Sequence, residues 1–197
     1  ILPFEIPAVL QFRDERATVR LLAEQTAIRP GSSLALALDF ELAEHWHVYW
    51  RNPGDSGEPP SVRWTLPKGF VAGEIEWPIP EKVQTGPILN YAYSRHVTFP
   101  ITVEAPATLA AGERAPLRAK ARWLVCRAEE CIPGEADLAI ELPIANEAPP
   151  SDARTTALFA AARARLPRVE DAIIERDPNT GDPTLTLPSI RVEDGAR

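Results

Sequence analysis

The chain has 197 residues, 45% of them hydrophobic and 25% charged, enough apolar content to bury one full domain core and too much for general disorder. Its formal charge is −7 and its pI is near 5.1, with no Lys/Arg block, so neither a nucleic-acid backbone nor an anionic membrane surface has an electrostatic footprint here. No run approaches the roughly 18 apolar residues of a membrane-spanning helix. Twenty-one prolines and ten glycines favour short strands joined by rigid turns.

The start, Ile1-Leu-Pro-Phe-Glu-Ile-Pro7, has neither the basic nor the apolar stretch of a signal peptide. An even cysteine count and the absence of methionine, even at position 1, favour a processed chain in an oxidising compartment over a cytosolic one. Period-two alternation then recurs along the chain: Val19 and Leu21; Leu34, Leu36, Leu38, Phe40 and Leu42; Val97, Phe99, Ile101 and Val103; Leu138, Ile140, Leu142 and Ile144. Turn clusters separate these strands, among them Arg29-Pro-Gly-Ser-Ser33, Asn52-Pro-Gly-Asp-Ser-Gly57, Pro67-Lys-Gly69 and Ala110-Ala-Gly-Glu113. The pattern predicts an all-β, immunoglobulin-like β-sandwich over residues 1–147.

His45 and His47 stand at i and i+2, so on one strand they share a face and are candidate metal ligands if a third joins them. Flanking Trp46, Tyr49 and Trp50 make packing the competing account. The string Gly54-Asp-Ser-Gly57 matches the surroundings of a serine-protease nucleophile, but Glu58 replaces the next glycine and the upstream histidines lie too close in the chain to build a triad. A Pro-Gly turn positioning a neighbouring strand explains it better.

Further on, Leu117, Ala119, Ala121, Trp123 and Val125 alternate with Arg118, Lys120 and Arg122, a parity that puts Cys126 on the basic, solvated face. Arg122 and Arg127 then favour a thiolate, with Glu129 and Glu130 opposing them. Cys126 and Cys131 are the only cysteines, five residues apart across a hairpin connection that leads through Ile132-Pro133 into the return strand. A disulfide there closes so short a loop that chain entropy yields only about 2 kcal/mol, against roughly 4.7 for a 100-residue loop. An exchangeable dithiol is the leading reading; a plain structural disulfide and a metal site are the others.

After Pro149-Pro150 the composition shifts. Ser151 can cap a helix through Ala157 to Ala162 that Pro167 stops, and Val169 to Ile174 and Thr184 to Pro188 read as short strands. Residues 148–197 are therefore expected to be a helix-plus-strand tail, either a linker, an extra sandwich strand or the start of a further domain.

The stretch Trp123-Leu-Val-Cys126 through Cys131-Ile-Pro133, preceded by Tyr93-Ser-Arg-His-Val-Thr-Phe-Pro100, resembles the N-terminal periplasmic domain of the DsbD family of thiol:disulfide interchange proteins. The segment from Tyr49-Trp50 to Pro59-Pro60 is similar to the ScsB branch, and the likeness covers about residues 15–145. The resemblance implies a periplasmic domain, part of a larger membrane-embedded reductase, that takes electrons from a thioredoxin-like domain or protein and passes them to disulfide-containing client proteins, with no cofactor of its own. Cys126 and Cys131 would be the redox pair, Cys131 receiving the attack and Cys126 resolving. It also implies a cap loop shielding the disulfide with an aromatic ring. The matching region, Pro80 to Tyr91, contains no Phe, so Val83, Ile88, Tyr91 and Tyr93 become the shielding candidates. The cysteine spacing departs as well, with four intervening residues where the better-known branch has five. The alternative function is a copper-binding or protein-interaction module with a structural disulfide.

Overall fold

A computed structural model of the chain describes residues 11–128, 130–147, 151–167, 173–176 and 183–186. The alternating segments form strands, in the order β1 (Gln11–Arg13), β2 (Ala17–Ala23), β3 (Ser33–Leu42), β4 (His47–Gly54), β5 (Ser61–Thr65), β6 (Val71–Ile75), β7 (Glu81–Thr85), β8 (Ile88–Ser94), β9 (His96–Glu104), β10 (Arg114–Arg127) and β11 (Glu130–Pro143). They build two antiparallel sheets, one ordered β1-β2-β3-β9-β6, the other β11-β10-β4-β8-β7 with β5 also on β10. This is the immunoglobulin-like all-β sandwich that the alternation predicted.

Each sheet turns one set of alternate side chains inward. Val19, Leu21, Leu36, Leu38, Phe40, Phe99 and Ile101 from the first sheet meet Leu117, Ala121, Trp123, Val125, Leu138 and Leu142 from the second, all buried. Trp123 sits edge-on to Phe40 and Phe12, with ring centroids 5.6 Å and 5.1 Å away. Its cross-strand partner is Gly134, where a Cβ would stand 2.3 Å from the indole, so the ring occupies the space a side chain there would need.

On the opposite face of the first sheet, one cross-strand row holds Arg20, Asp39 and Thr98. Asp39 is fully buried, and its carboxylate accepts from Arg20 Nη2 at 2.8 Å, Thr98 Oγ1 at 2.7 Å and His96 Nε2 at 2.8 Å. Burial alone would raise its pKa, but the hydrogen bonds from His96, Thr98 and Arg20 outweigh burial and hold the carboxyl below the usual Asp value. A depressed folded pKa means this stabilisation is complete above the unfolded-state pKa and is lost as pH falls through the folded one. Asp39→Ala is therefore expected to cost about 2–4 kcal/mol at pH 7, with the gap to the parent narrowing below about pH 4. Urea unfolding at the two pH values checks this; an unchanged gap would show that the carboxylate's charge is immaterial.

The helix α1 (Ala153–Ala164) is capped by Asp152, not by Ser151 as expected: the Asp152 carboxylate accepts from the Thr155 backbone N–H at 2.9 Å. It packs against β9 with Phe159 and Ala162 buried, while Arg163 pairs with Glu24 and the Ile79 N–H donates to the Arg165 carbonyl. The compact unit thus runs to Leu166, past the expected break at residue 147, because the helix buries its apolar residues on the sandwich. A second unit begins at Pro167, where β12 (Ile173–Arg176) and β13 (Pro183–Thr186) pair with one another as a separate antiparallel hairpin. Of the expected tail strands, positions 169–172 and 187–188 lie outside the described residues.

Candidate redox site

Strand β10 carries Cys126 between two neighbours: Cys131 on β11 and His47 on β4 are its register partners. The two sulfurs are bonded, with Cα atoms 4.1 Å apart, as a directly opposed pair on an antiparallel hairpin allows. Cys131 therefore belongs to β11 and not to the connection, which is only two residues long, Ala128 and Glu129. Glu129 lies outside the described residues.

The two halves of the bond have different surroundings. Cys131 is exposed, whereas Cys126 is only 2% exposed. Cys126 packs with Leu124 on the face of β10 away from Trp123 and Val125, but at this end that face is covered, where the alternation had suggested it would be solvated. A small apolar cluster of Tyr49, Ala92, Val83 and Leu124 covers the sulfur. The arginines expected to favour a thiolate are matched already: Arg127 pairs with Glu130 at 2.8 Å and lies over Trp46, and Arg122 pairs with Glu135.

Tyr49 is the aromatic member of that cover, a role that its place in the Tyr49-Trp50 segment does not announce. Its hydroxyl lies 3.9 Å from Cys131 Sγ and 3.4 Å from His47 Nε2, and the His47 ring stands edge-on to it at 5.2 Å. Burial lowers the His47 pKa, keeping the imidazole neutral at pH 7. Burial also raises the Tyr49 pKa, with a hydrogen bond to Ser56 pulling the other way, so the hydroxyl keeps its proton.

The Asn52–Gly57 turn holds this tyrosine in place. The Asp55 N–H donates to the Leu89 carbonyl at 3.0 Å, the Leu89 N–H donates to Asp55 Oδ2 at 2.8 Å, and the Ser56 N–H donates to buried Asn90 Oδ1 at 3.1 Å. Gly57, at φ +99°, then lies flat on the phenol; a Cβ there would be 2.3 Å from the ring. The Gly54-Asp-Ser-Gly57 string is thus a clasp between β4 and β8, and Ser56 serves it through Asn90.

The shielding candidates divide by strand parity. Ala92 and Asn90 face the disulfide side of β8, so Tyr91 and Tyr93 face the other way. Tyr93 is buried against Phe99, its hydroxyl donating to the Pro78 carbonyl at 2.6 Å, and burial pushes its pKa up; it belongs to the main core and does not shield the sulfurs. Tyr91 stands edge-on to Trp50 at 6.0 Å, and Ile88 is 40% exposed at the end of the β7–β8 hairpin. Val83, from β7, packs against the sulfur cluster. The histidine pair does not share a strand face: His45 precedes β4 in a left-handed conformation, φ 69°, with an 81% exposed side chain, while His47 is buried beside Tyr49. Among the described residues no three His, Cys, Asp or Glu side chains converge as a metal site.

No curated protein sequence matches the chain. Among solved structures, the N-terminal periplasmic domain of ScsB from Proteus mirabilis aligns over 85% of this chain and 61% of its own length, at 25% identity and a TM-score of 0.60. The present chain therefore spans less than two thirds of that domain's length. The reduced N-terminal domain of DsbD from Neisseria meningitidis aligns over 68% of this chain and 90% of its own, at 12% identity and TM-score 0.35, and the yeast GGA1 GAE domain over 66% and 96%, at 10% and 0.37, both too distant to bear on function. The sequence profile described as "Thiol:disulfide interchange protein DsbD, N-terminal" matches residues 18–143, which hold both cysteines and the tyrosine that packs against Cys126, and the chain belongs to that family.

Proposed function

We propose that this chain is a periplasmic thiol–disulfide exchange domain of a larger membrane reductase, relaying reducing equivalents from a thioredoxin-like domain or protein to disulfide-containing clients through Cys126 and Cys131. One observation carries the reading: the disulfide joins an exposed residue, Cys131, to a buried one, Cys126. A thiolate of the donor attacks Cys131 Sγ, the Cys126–Cys131 bond breaks, and Cys126 leaves as a thiolate against which the protonated Tyr49 packs. The donor's second cysteine then attacks its own sulfur in the mixed disulfide, releasing Cys131; two electrons have moved and the donor is left oxidised. In the opposite direction the Cys131 thiolate attacks a client disulfide, and Cys126 resolves the mixed species. Because a five-residue separation makes the bond a poor staple, exchange is favoured over reinforcement.

Excess reduced thioredoxin is expected to reduce the bond fully within minutes, with an equilibrium potential above about −300 mV, the region below which structural disulfides lie. Alkylation of the freed thiols followed by mass measurement reads this directly. A bond still intact after hours with excess donor would make it structural.

A further inference from the structure

We propose that the outer face of β5, β10 and β11 is a docking strip for an acidic segment of the protein that exchanges disulfides with Cys131; this rests on the exchange reading above. The face of β10 that ends in Cys126 continues through Leu124 to Arg122, Lys120 and Arg118. Cross-strand rows widen it: Arg122 lies between Ser61 and Glu135, Lys120 between Arg63 and Asp137, and Arg118 between Thr65 and Ala139. Four cations thus face two carboxylates, in a chain whose formal charge is −7.

The pairing within the strip leaves a remainder. Glu135 accepts from both Lys120 and Arg122, and Asp137 lies 3.7 Å from Lys120. Arg63 and Arg118 have no acidic partner among the described residues, and with Thr65, Lys120 and Asp137 they line one shallow depression. On the other flank of the sulfurs β7 brings a carboxylate, Glu81, opposite Ala92, where the strip brings cations. Carboxylates spaced among the cations suit an acidic peptide surface better than a run of phosphates.

Distance makes the strip part of one interface with the sulfurs. At about 3.3 Å per strand residue, Arg122 lies about 13 Å and Arg118 about 26 Å from Cys126. An interface of ordinary size covers about 800 Å² per partner, roughly 30 Å across, and so reaches from Cys131 onto the strip. Leu124 and Pro133, opposite one another between the sulfurs and the charges, give that interface an apolar join.

The test uses the reduced 197-residue chain and three synthetic peptides. Each carries one cysteine activated as a thionitrobenzoate mixed disulfide, a six-residue Gly/Ser spacer, and then four Glu, four Gln or four Lys. Cys131 attack releases thionitrobenzoate, and Cys126 attack then releases the peptide thiol and re-forms the domain disulfide. The Glu peptide is expected to react about tenfold faster than the Lys peptide at low ionic strength, and within about twofold of it in 0.5 M salt. Joint Arg63→Glu and Arg118→Glu substitution should reverse the order while leaving the Gln peptide's rate unchanged; the milder Arg63→Gln with Arg118→Gln should abolish the preference. Equal rates for all three peptides would overturn the strip and leave the exchange reading standing, whereas no reaction with any peptide would overturn both. Sedimentation of the chain with phosphatidylglycerol vesicles, lost in the Arg63/Arg118 variants, would instead assign the strip to a membrane and overturn the proposal.

Discussion

Cys126→Ser will accumulate a stable mixed disulfide through Cys131, and Cys131→Ser will form one far more slowly. Both variants leave one thiol in the same hairpin, so the chemistry of the two sulfurs is nominally alike and only their surroundings differ. In Cys126→Ser the remaining thiol is the exposed one, and no second sulfur is present to resolve the bond it makes. In Cys131→Ser the remaining thiol lies beneath Tyr49 and Ala92, and a partner reaches it only when that cover opens. A local opening of about 3 kcal/mol would slow trapping roughly 100-fold. The measurement is the rate at which each reduced variant displaces thionitrobenzoate from a thioredoxin-fold protein activated at its attacking cysteine, with the adduct confirmed by mass. Equal rates for the two variants would mean that the cover does not gate access, and faster trapping by Cys131→Ser would invert the assignment of roles.

Tyr49→Ala is expected to carry the second large effect, on stability and reactivity together. Removing a fully buried aromatic side chain costs about 3–5 kcal/mol. Here the same deletion strips away the ring that packs on Cys126 and reaches to 3.9 Å from Cys131 Sγ, so reduction of the bond by dithiothreitol should accelerate about tenfold or more. Gly57→Ala should act in the same direction, since its new Cβ would overlap the phenol and its backbone is left-handed. Tyr49→Phe keeps the ring and should change reduction by dithiothreitol by no more than about twofold. If Tyr49→Ala left that rate unchanged, the tyrosine would be a packing residue with no part in shielding the sulfurs.

Much of the sandwich was legible in sequence because half-buried strands betray themselves by parity. The runs Leu34 to Leu42 and Val97 to Val103 became β3 and β9, neighbours in the first sheet. The helix was legible too, but its attachment was not: only Phe159 and Ala162 are buried, too small an apolar face to distinguish a docked helix from a linker by composition. At the site, the sulfurs stood out by count and spacing, and parity placed Cys126 on the correct side of β10. The cover did not stand out, because it depends on which strand lies beside β10. Tyr49 and Ala92 are 43 residues apart and meet only because β4 pairs with both β10 and β8, with a bulge between Tyr49 and Gly54 that brings the clasp back over the ring. The aromatic cover thus comes from β4, while the segment before Tyr93 contributes Val83. The useful signal was a tyrosine four residues before a Pro-Gly turn whose next residues can bond a neighbouring backbone.

The sulfur pair joins the last but one rung of a ladder that β10 and β11 share along fourteen residues each, and the turn at its end is already covalently continuous. Making or breaking that bond sets free almost no length of chain. Under the exchange proposed above, the molecule would pass between its oxidised and reduced forms with its scaffold unmoved and with little to reassemble after each turnover.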